Sequence, residues 1–408
     1  GDIRLEGTMS IVGDRSAVID IRDSVSGDLA LSGSITARGE DTSAVSVAGN
    51  IGGGFYFNGA VATTGYRFSA YTNNDEYLAT LDDDDRFQAG AAVLIQSSIA
   101  GGMLLDAPTD DNRVSRTSSI SIRGEAPALK IFASTGNISI GEAIQPAVED
   151  DDTTEDEDES LPETPLGYSL VNRGSVSANS DLNDTSATGI WFGGADDGNG
   201  SFFTAELTHG FLNTGGISTT SYSDTIAASA IAIHLDDGAL LPILTNDGNI
   251  TATSQNTVDA TAFGSAYAIV IEDNGVLEEL VNSGQIVASG SNGGSGYAIV
   301  DRSGTLRSIE NTGRILASHI PRPAYYNSDG DLIEPDDNPD YRTVALDVSN
   351  NTTGVTYRQH WEAVPDDGDD STTEPTVLDA SIYMIGDVLF GTGDDTLTVE
   401  AGRINGAI

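Results

Sequence analysis

The sequence predicts an all-β protein: a right-handed parallel β-helix, or β-solenoid, with roughly three short strands per coil and long acidic loop insertions. Three observations predict it. A five-residue corner motif recurs, two further short strand types recur between its copies in a constant order, and glycine is abundant at 47 of 408 residues. An average chain carries about 7% glycine. One solenoid over residues 1–408 accounts for the whole chain, because repeat-like runs occur near both ends.

The first strand type is a short alternating run that begins with alanine. Examples are Ala17-Val-Ile-Asp-Ile21, Ala44-Val-Ser-Val47, Ala92-Val-Leu-Ile95, Ala128-Leu-Lys-Ile131, Ala230-Ile-Ala-Ile233, Ala268-Ile-Val-Ile271 and Ala298-Ile-Val300. The second opens on glycine and ends on spaced Leu or Ile, as in Gly27-Asp-Leu-Ala-Leu31 and Gly275-Val-Leu-Glu-Glu-Leu280. The third contains Gly-x-Ile or Gly-x-Val. Each run is too short for a helix and alternates with the two-residue period of a half-buried strand.

The third type follows the corner motif Asn-x-Gly-x-Ile/Val. Its copies start at Asn172, Asn213, Asn246, Asn282 and Asn311, with glycines at Gly174, Gly215, Gly248, Gly284 and Gly313. The starts are 41, 33, 36 and 29 residues apart. The shortest interval fits one coil with tight turns, and the longer ones require loops. At these corners Gly is expected to supply positive φ, and Asn to tolerate the same region. Asn side chains at equivalent corners are placed to form a ladder along the stack.

Loop insertions are expected at about 63–88, 149–165, 321–341 and 361–376. Glu149 to Glu159 holds nine acidic residues in eleven and no apolar one, so it cannot enter a core. The first insertion carries Asp82 to Asp85 and the aromatics Tyr66, Phe68, Tyr71, Tyr77 and Phe87, which are expected to pack it back against the strands. The third contains Tyr325 and Tyr326 among prolines, and Trp361 precedes Asp366-Asp-Gly-Asp-Asp370. Tyr71, Tyr77, Tyr325, Tyr326 and Trp361 are therefore the candidate contact surface for a glycan or a surface-protein ligand.

Charge narrows the partners. Against 63 acidic residues stand 18 basic ones, a formal net charge of −45. Such a field repels nucleic acid and anionic membranes and favours cations or basic surfaces. A salty habitat accounts for it equally well, since salt screens the self-repulsion. Without cysteine there are no disulfides or thiolate sites. No apolar run is long enough for a transmembrane helix. With Gly at position 1 and a repeat-like pattern up to Ile408, the chain is expected to be a mature form or fragment that continues further.

Candidate chemistry is sparse. Gly391-Thr-Gly-Asp394-Asp395-Thr-Leu-Thr-Val399 is like one half of a calcium nonapeptide, where a glycine-permitted turn holds hard oxygen ligands. Phe390 replaces the first glycine of that pattern. Asp394 and Asp395, with Asp366, Asp367, Asp369 and Asp370, are the candidate calcium ligands; no other cofactor is indicated. A polysaccharide-acting enzyme would need two carboxylates about 5–9 Å apart, and alternation aligns Asp236, Glu272 and Asp301 on one outer face. None has a distinctive aromatic or basic surround in sequence. His209, His234, His319 and His360 show no short ligand spacing, and His209 and His234 stand at positions equally suited to exposed rim residues. Nucleophile-elbow and phosphate-loop motifs are absent.

The Asn-x-Gly-x-Ile corners beside Ala-Ile-x-Ile strands, with Phe390 to Val399 and Gly402-Arg-Ile404, resemble passenger regions of bacterial autotransporters and related surface-exposed, adhesin-like β-helical proteins. The resemblance covers most of the chain and rests on degenerate repeats. It implies export and extracellular display at a Gram-negative cell surface, with an outer-membrane β-barrel outside this segment. No protease-like domain accompanies it. The function expected is a non-catalytic structural or adhesive module. The alternatives are a calcium-dependent surface-layer or fibre component that self-associates, and a polysaccharide-acting β-helix enzyme.

Overall fold

The computed structural model describes residues 1–65, 72, 74–82, 84–105, 118–146, 163–326, 330–333, 340–361 and 381–408. Two large parallel sheets dominate it. One contains ten strands, ordered along the sheet as they occur in the chain: Ala17–Ile21, Ser43–Val47, Val93–Ile95, Leu129–Ala133, Ala187–Gly194, Ala230–Leu235, Ser265–Ile271, Ser295–Asp301, Thr343–Asp347 and Asp387–Leu389. Seven of these are the alanine runs. The other three lack the Ala-Ile-x-Ile signature: Trp191 and paired glycines interrupt the first, and isolated short runs form the others.

The second sheet joins 22 strands of the two remaining types. Ala239–Asn246, Val276–Asn282, Ser308–Asn311, Thr356–Gln359 and Thr396–Val399 pair in succession. So do Asn249–Asn256, Gln285–Ser291, Arg314–Ile320, Tyr383–Ile385 and Arg403–Asn405. Every pairing between strands of these sheets is parallel, and partners are equivalent positions of successive repeats. The architecture is thus all-β and repeat-built, with mostly parallel strands.

Stacking follows from the shortness of the strands. Fully burying an aliphatic side chain stabilises by about 1.5–3 kcal/mol, whereas ordering each backbone residue costs about 1–2 kcal/mol. A four-residue strand with two inward side chains cannot offset its own ordering. Here the inward residues merge into one core cluster from Ile19 to Val388, including Phe55, Phe57, Phe211 and Tyr357.

The corners differ from the sequence expectation in their cause. Gly174, Gly215, Gly248, Gly284 and Gly313 do not adopt positive φ. They are required by close stacking instead: a Cβ on Gly215 would sit 2.0 Å from the carbonyl oxygen of Gly174, and one on Gly248 would sit 2.1 Å from that of Gly215. The asparagines do not adopt positive φ either. They turn inward, fully buried, and each amide donates to the next repeat: Asn172 to Asn213 at 2.7 Å, Asn213 to Asn246 at 2.7 Å, Asn246 to Asn282 at 2.8 Å and Asn282 to Asn311 at 2.8 Å. Asn311 then donates to Gln359 at 3.2 Å, and Gln359 to the Ala401 carbonyl at 2.8 Å.

Some boundaries also move. The end of the Gly27 run and the Gly33-Ser-Ile35 segment that follows it share one strand, Leu29–Arg38, paired over its whole length with Phe55–Thr64. Thr63 and Thr64 therefore lie in a strand, not in the first insertion. That insertion contains a short helix, Asp75–Leu78, on which Tyr77 is exposed; Phe87 is partly exposed and borders a groove with Ala126, Pro127 and Trp191. Thr164–Pro165 pairs antiparallel with Ile144–Gln145, and Tyr325–Tyr326 with Leu332–Ile333. The acidic run Glu149 to Glu159 lies outside the described residues.

Candidate functional site

Among the described residues, the chemically richest surface is the outer face of the ten-stranded sheet. Inward positions of these strands are apolar, so alternation leaves the intervening residues to face outward. Parallel register then lines up Lys130, Trp191 and His234 in successive repeats. A second line runs through Ile231, Tyr267 and Tyr297.

These side chains form a continuous network. The Lys130 ammonium lies 4.3 Å from the Phe132 ring centroid and 4.4 Å from that of Trp191. Lys130 is the sole lysine in the sequence. Burial pushes its ammonium below the ordinary lysine value, with the Asp236 carboxylate acting in the opposite sense. The Trp191 indole N–H donates to Asp236 at 3.1 Å, and its ring lies 5.1 Å from that of His234.

His234 leads to an ion pair. Its Nε2 is 3.5 Å from Glu272 Oε1, at the outer edge of hydrogen-bonding range, while Arg302 Nη1 reaches both Glu272 oxygens at 2.7 and 2.8 Å. The Glu272 carboxyl is held below its ordinary value, first by His234 and then by Arg302, against the opposing effect of burial. By distance, Arg302 is the firmer partner. Its guanidinium also lies 5.9 Å from the Tyr267 ring, which stacks on Tyr297 at 5.0 Å and 10°. His234 is 14% exposed at its side chain, so it is part of this network and not an exposed rim residue.

Beside the tyrosines lies a groove of about 320 Å³, lined by Tyr267, Tyr297, Val300, Arg302, Asp347 and Asn350, among others. Asp301 also borders it, yet its carboxylate is committed. One oxygen accepts from the Ser303 hydroxyl and the Gly304 N–H, and the other from the Leu306 N–H. This corrects the expected alignment of Asp236, Glu272 and Asp301. Asp301 is in register with the inward residue Ile271 and is 2% exposed, whereas Arg302 takes the place beside Glu272.

A general acid acting on a glycosidic bond needs a raised carboxyl pKa, and Glu272 is shifted the other way. Asp184 is also held below its ordinary value despite some burial, by accepting bonds from the Thr225 hydroxyl and from the Ile226, Asp224 and Thr225 N–H groups. Asp184 thereby fastens the turn at Asp224 to Ile226.

Tyr77, Tyr326 and Trp361 are exposed. The side chain of Tyr325, and all of Tyr71, Asp366, Asp367, Asp369 and Asp370, lie outside the described residues. Asp394 is exposed, while Asp395 accepts from the Val355 N–H at 2.9 Å. Among the described residues no group of three or more His, Asp or Glu is placed to hold a metal ion, and no helix is long and apolar enough to cross a membrane. Sequence reasoning missed Trp191, Tyr267, Tyr297 and Arg302. The usable signal was the repeated Tyr-Ala-Ile-Val at Tyr267 and Tyr297, which places both rings at the same outward position.

Comparison of the chain with protein-family models, curated proteins and solved structures finds no match.

Proposed function

We propose that the three strands of each repeat coil into a right-handed β-solenoid, and that this solenoid is a non-catalytic scaffold displayed outside a Gram-negative bacterium. The observation that carries the reading is the ten-stranded parallel sheet, whose strands follow one another in chain order and share one core. Ten layers at about 4.8 Å each give a stiff body whose outer faces are free to vary without disturbing the interior. A scaffold or adhesive module needs that separation of core from surface. The resemblance of the corner motifs to autotransporter passengers supports export and display, and the high negative charge suits an exposed surface that must stay soluble.

The reading is tested by small-angle scattering on the chain and by antibody labelling of intact source cells. An elongated particle and labelling without permeabilisation are the expected results. A near-spherical particle refutes the coil, and labelling only after permeabilisation refutes display.

A further inference from the structure

We propose that the groove beside Tyr297 is a binding subsite for an uncharged saccharide of one or two rings. Its elements come from three successive repeats. The stacked rings of Tyr267 and Tyr297, the buried Val300, and the polar groups of Arg302, Asp347 and Asn350 line it, with the Arg302 guanidinium 5.9 Å from the Tyr267 ring centroid. In the next repeat, the register partner of Tyr297 is the much shorter Val344, which does not line the groove. Tyr297 is half-buried and lines the groove, where its ring offers an apolar plate suited to the C–H face of a sugar.

The polar groups define the ligand class. Asp347 uses one oxygen to accept from the Ser349 N–H and hydroxyl, leaving the other without a partner among the described residues. Asn350 donates its amide to the Arg302 carbonyl at 2.9 Å, which leaves its own side-chain oxygen as an acceptor. Arg302 bonds Glu272 through Nη1 alone, so Nε and Nη2 remain as donors. Acceptors and donors thus stand side by side, as vicinal hydroxyls require, since each hydroxyl both donates and accepts. An anion would meet Asp347 at close range, and a cation would meet Arg302. A cage for an organic cation needs several ring faces, and here the two tyrosines spend one face each on the other. The volume is at the small end of ligand sites, which start near 300 Å³. Because Glu272 and the Asn350 amide already hold Arg302 and its turn, little ordering is left for the ligand to impose.

The test is an array of uncharged gluco-, galacto-, manno- and xylo-configured oligosaccharides, printed beside sialylated and sulfated ones and probed with the full chain. At least one uncharged oligosaccharide should bind, and Tyr297→Ala and Asn350→Ala should each weaken it about tenfold at a temperature where melting curves show the variant folded. Asn350 is exposed on a turn, so its variant decides the matter should Tyr297→Ala fail to fold. Absence of any uncharged ligand, preference for the charged set, or binding that survives both substitutions overturns the inference. Particle shape and cell labelling do not enter this test, so it can fail while the scaffold reading stands, and the reverse.

Discussion

Asn246 and Asn282 lie 36 residues apart in sequence, yet the side-chain amide of the first donates to the side-chain oxygen of the second at 2.8 Å, with both residues fully buried. The interaction is one rung of a ladder of five amide–amide bonds that ends at Gln359. Buried amides of this kind stabilise only while every member keeps its partners. The ladder therefore fixes which repeat sits on which, as well as adding to stability.

Replacing Asn246 by Leu should cost about 2–4 kcal/mol, because it strands the Asn213 donor and the Asn282 acceptor together. Asn172→Leu should cost roughly half as much. It strands only the Asn213 acceptor, and the Asn172 oxygen already lacks a partner beside its register neighbour Leu105. Urea unfolding of both variants measures the difference; equal losses would show that the ladder does not act as a chain.

Two adjacent glycines provide a sharper test of stacking. A methyl group on Gly215 meets the Gly174 carbonyl oxygen at 2.0 Å, whereas one on Gly216 meets nothing within 4 Å. Gly215→Ala should destabilise by about 1–3 kcal/mol through overpacking, and Gly216→Ala should be close to neutral. Thermal melting of the pair is sufficient, and a reversed order refutes the reading of the corners.

The Glu272 carboxyl has a folded pKa below its ordinary value of 4.5. The stabilisation it provides is then fully present above about pH 4.5 and is lost as the pH falls through the lower folded value. Glu272→Gln should be less stable than the parent chain at pH 7, with the gap closing in acid. Denaturant midpoints recorded from pH 7 to pH 3 follow it; a gap that stays constant with pH would exclude the linkage.

Lys130 behaves in the opposite sense to a paired lysine. Its folded pKa is lowered from 10.5 by burial, so the cost of keeping it charged is present below the folded pKa and relieved as the pH rises from there to the unfolded value. A sole lysine makes the measurement simple, since selective isotopic labelling yields one side-chain resonance. Its titration midpoint should fall below 10.5 in the folded chain, and Trp191→Ala, by opening the site to water, should move it back towards that value.

Much of the fold was legible because the repeats encode it locally. The Asn-x-Gly-x-Ile spacing located the corners, and alternation located seven of the ten strands of one sheet. Thr343–Asp347 and Asp387–Leu389 escaped because each stands beside a long insertion or a turn, with too few residues to show a period. The site was less legible. Tyr267 and Tyr297 repeat visibly, but Arg302 and Glu272 are 30 residues apart, and nothing local marks them as a pair.

The sequence by itself determined that strands would be short, numerous and dependent on one another, since that follows from composition and period alone. Only the tertiary structure decided the register. A shift of one residue exchanges inside for outside, which is why Asp301 is a buried turn fastener while Arg302, its immediate neighbour, faces Glu272 on the outer surface. Contacts made between repeats depend on that choice, and a linear pattern cannot specify it.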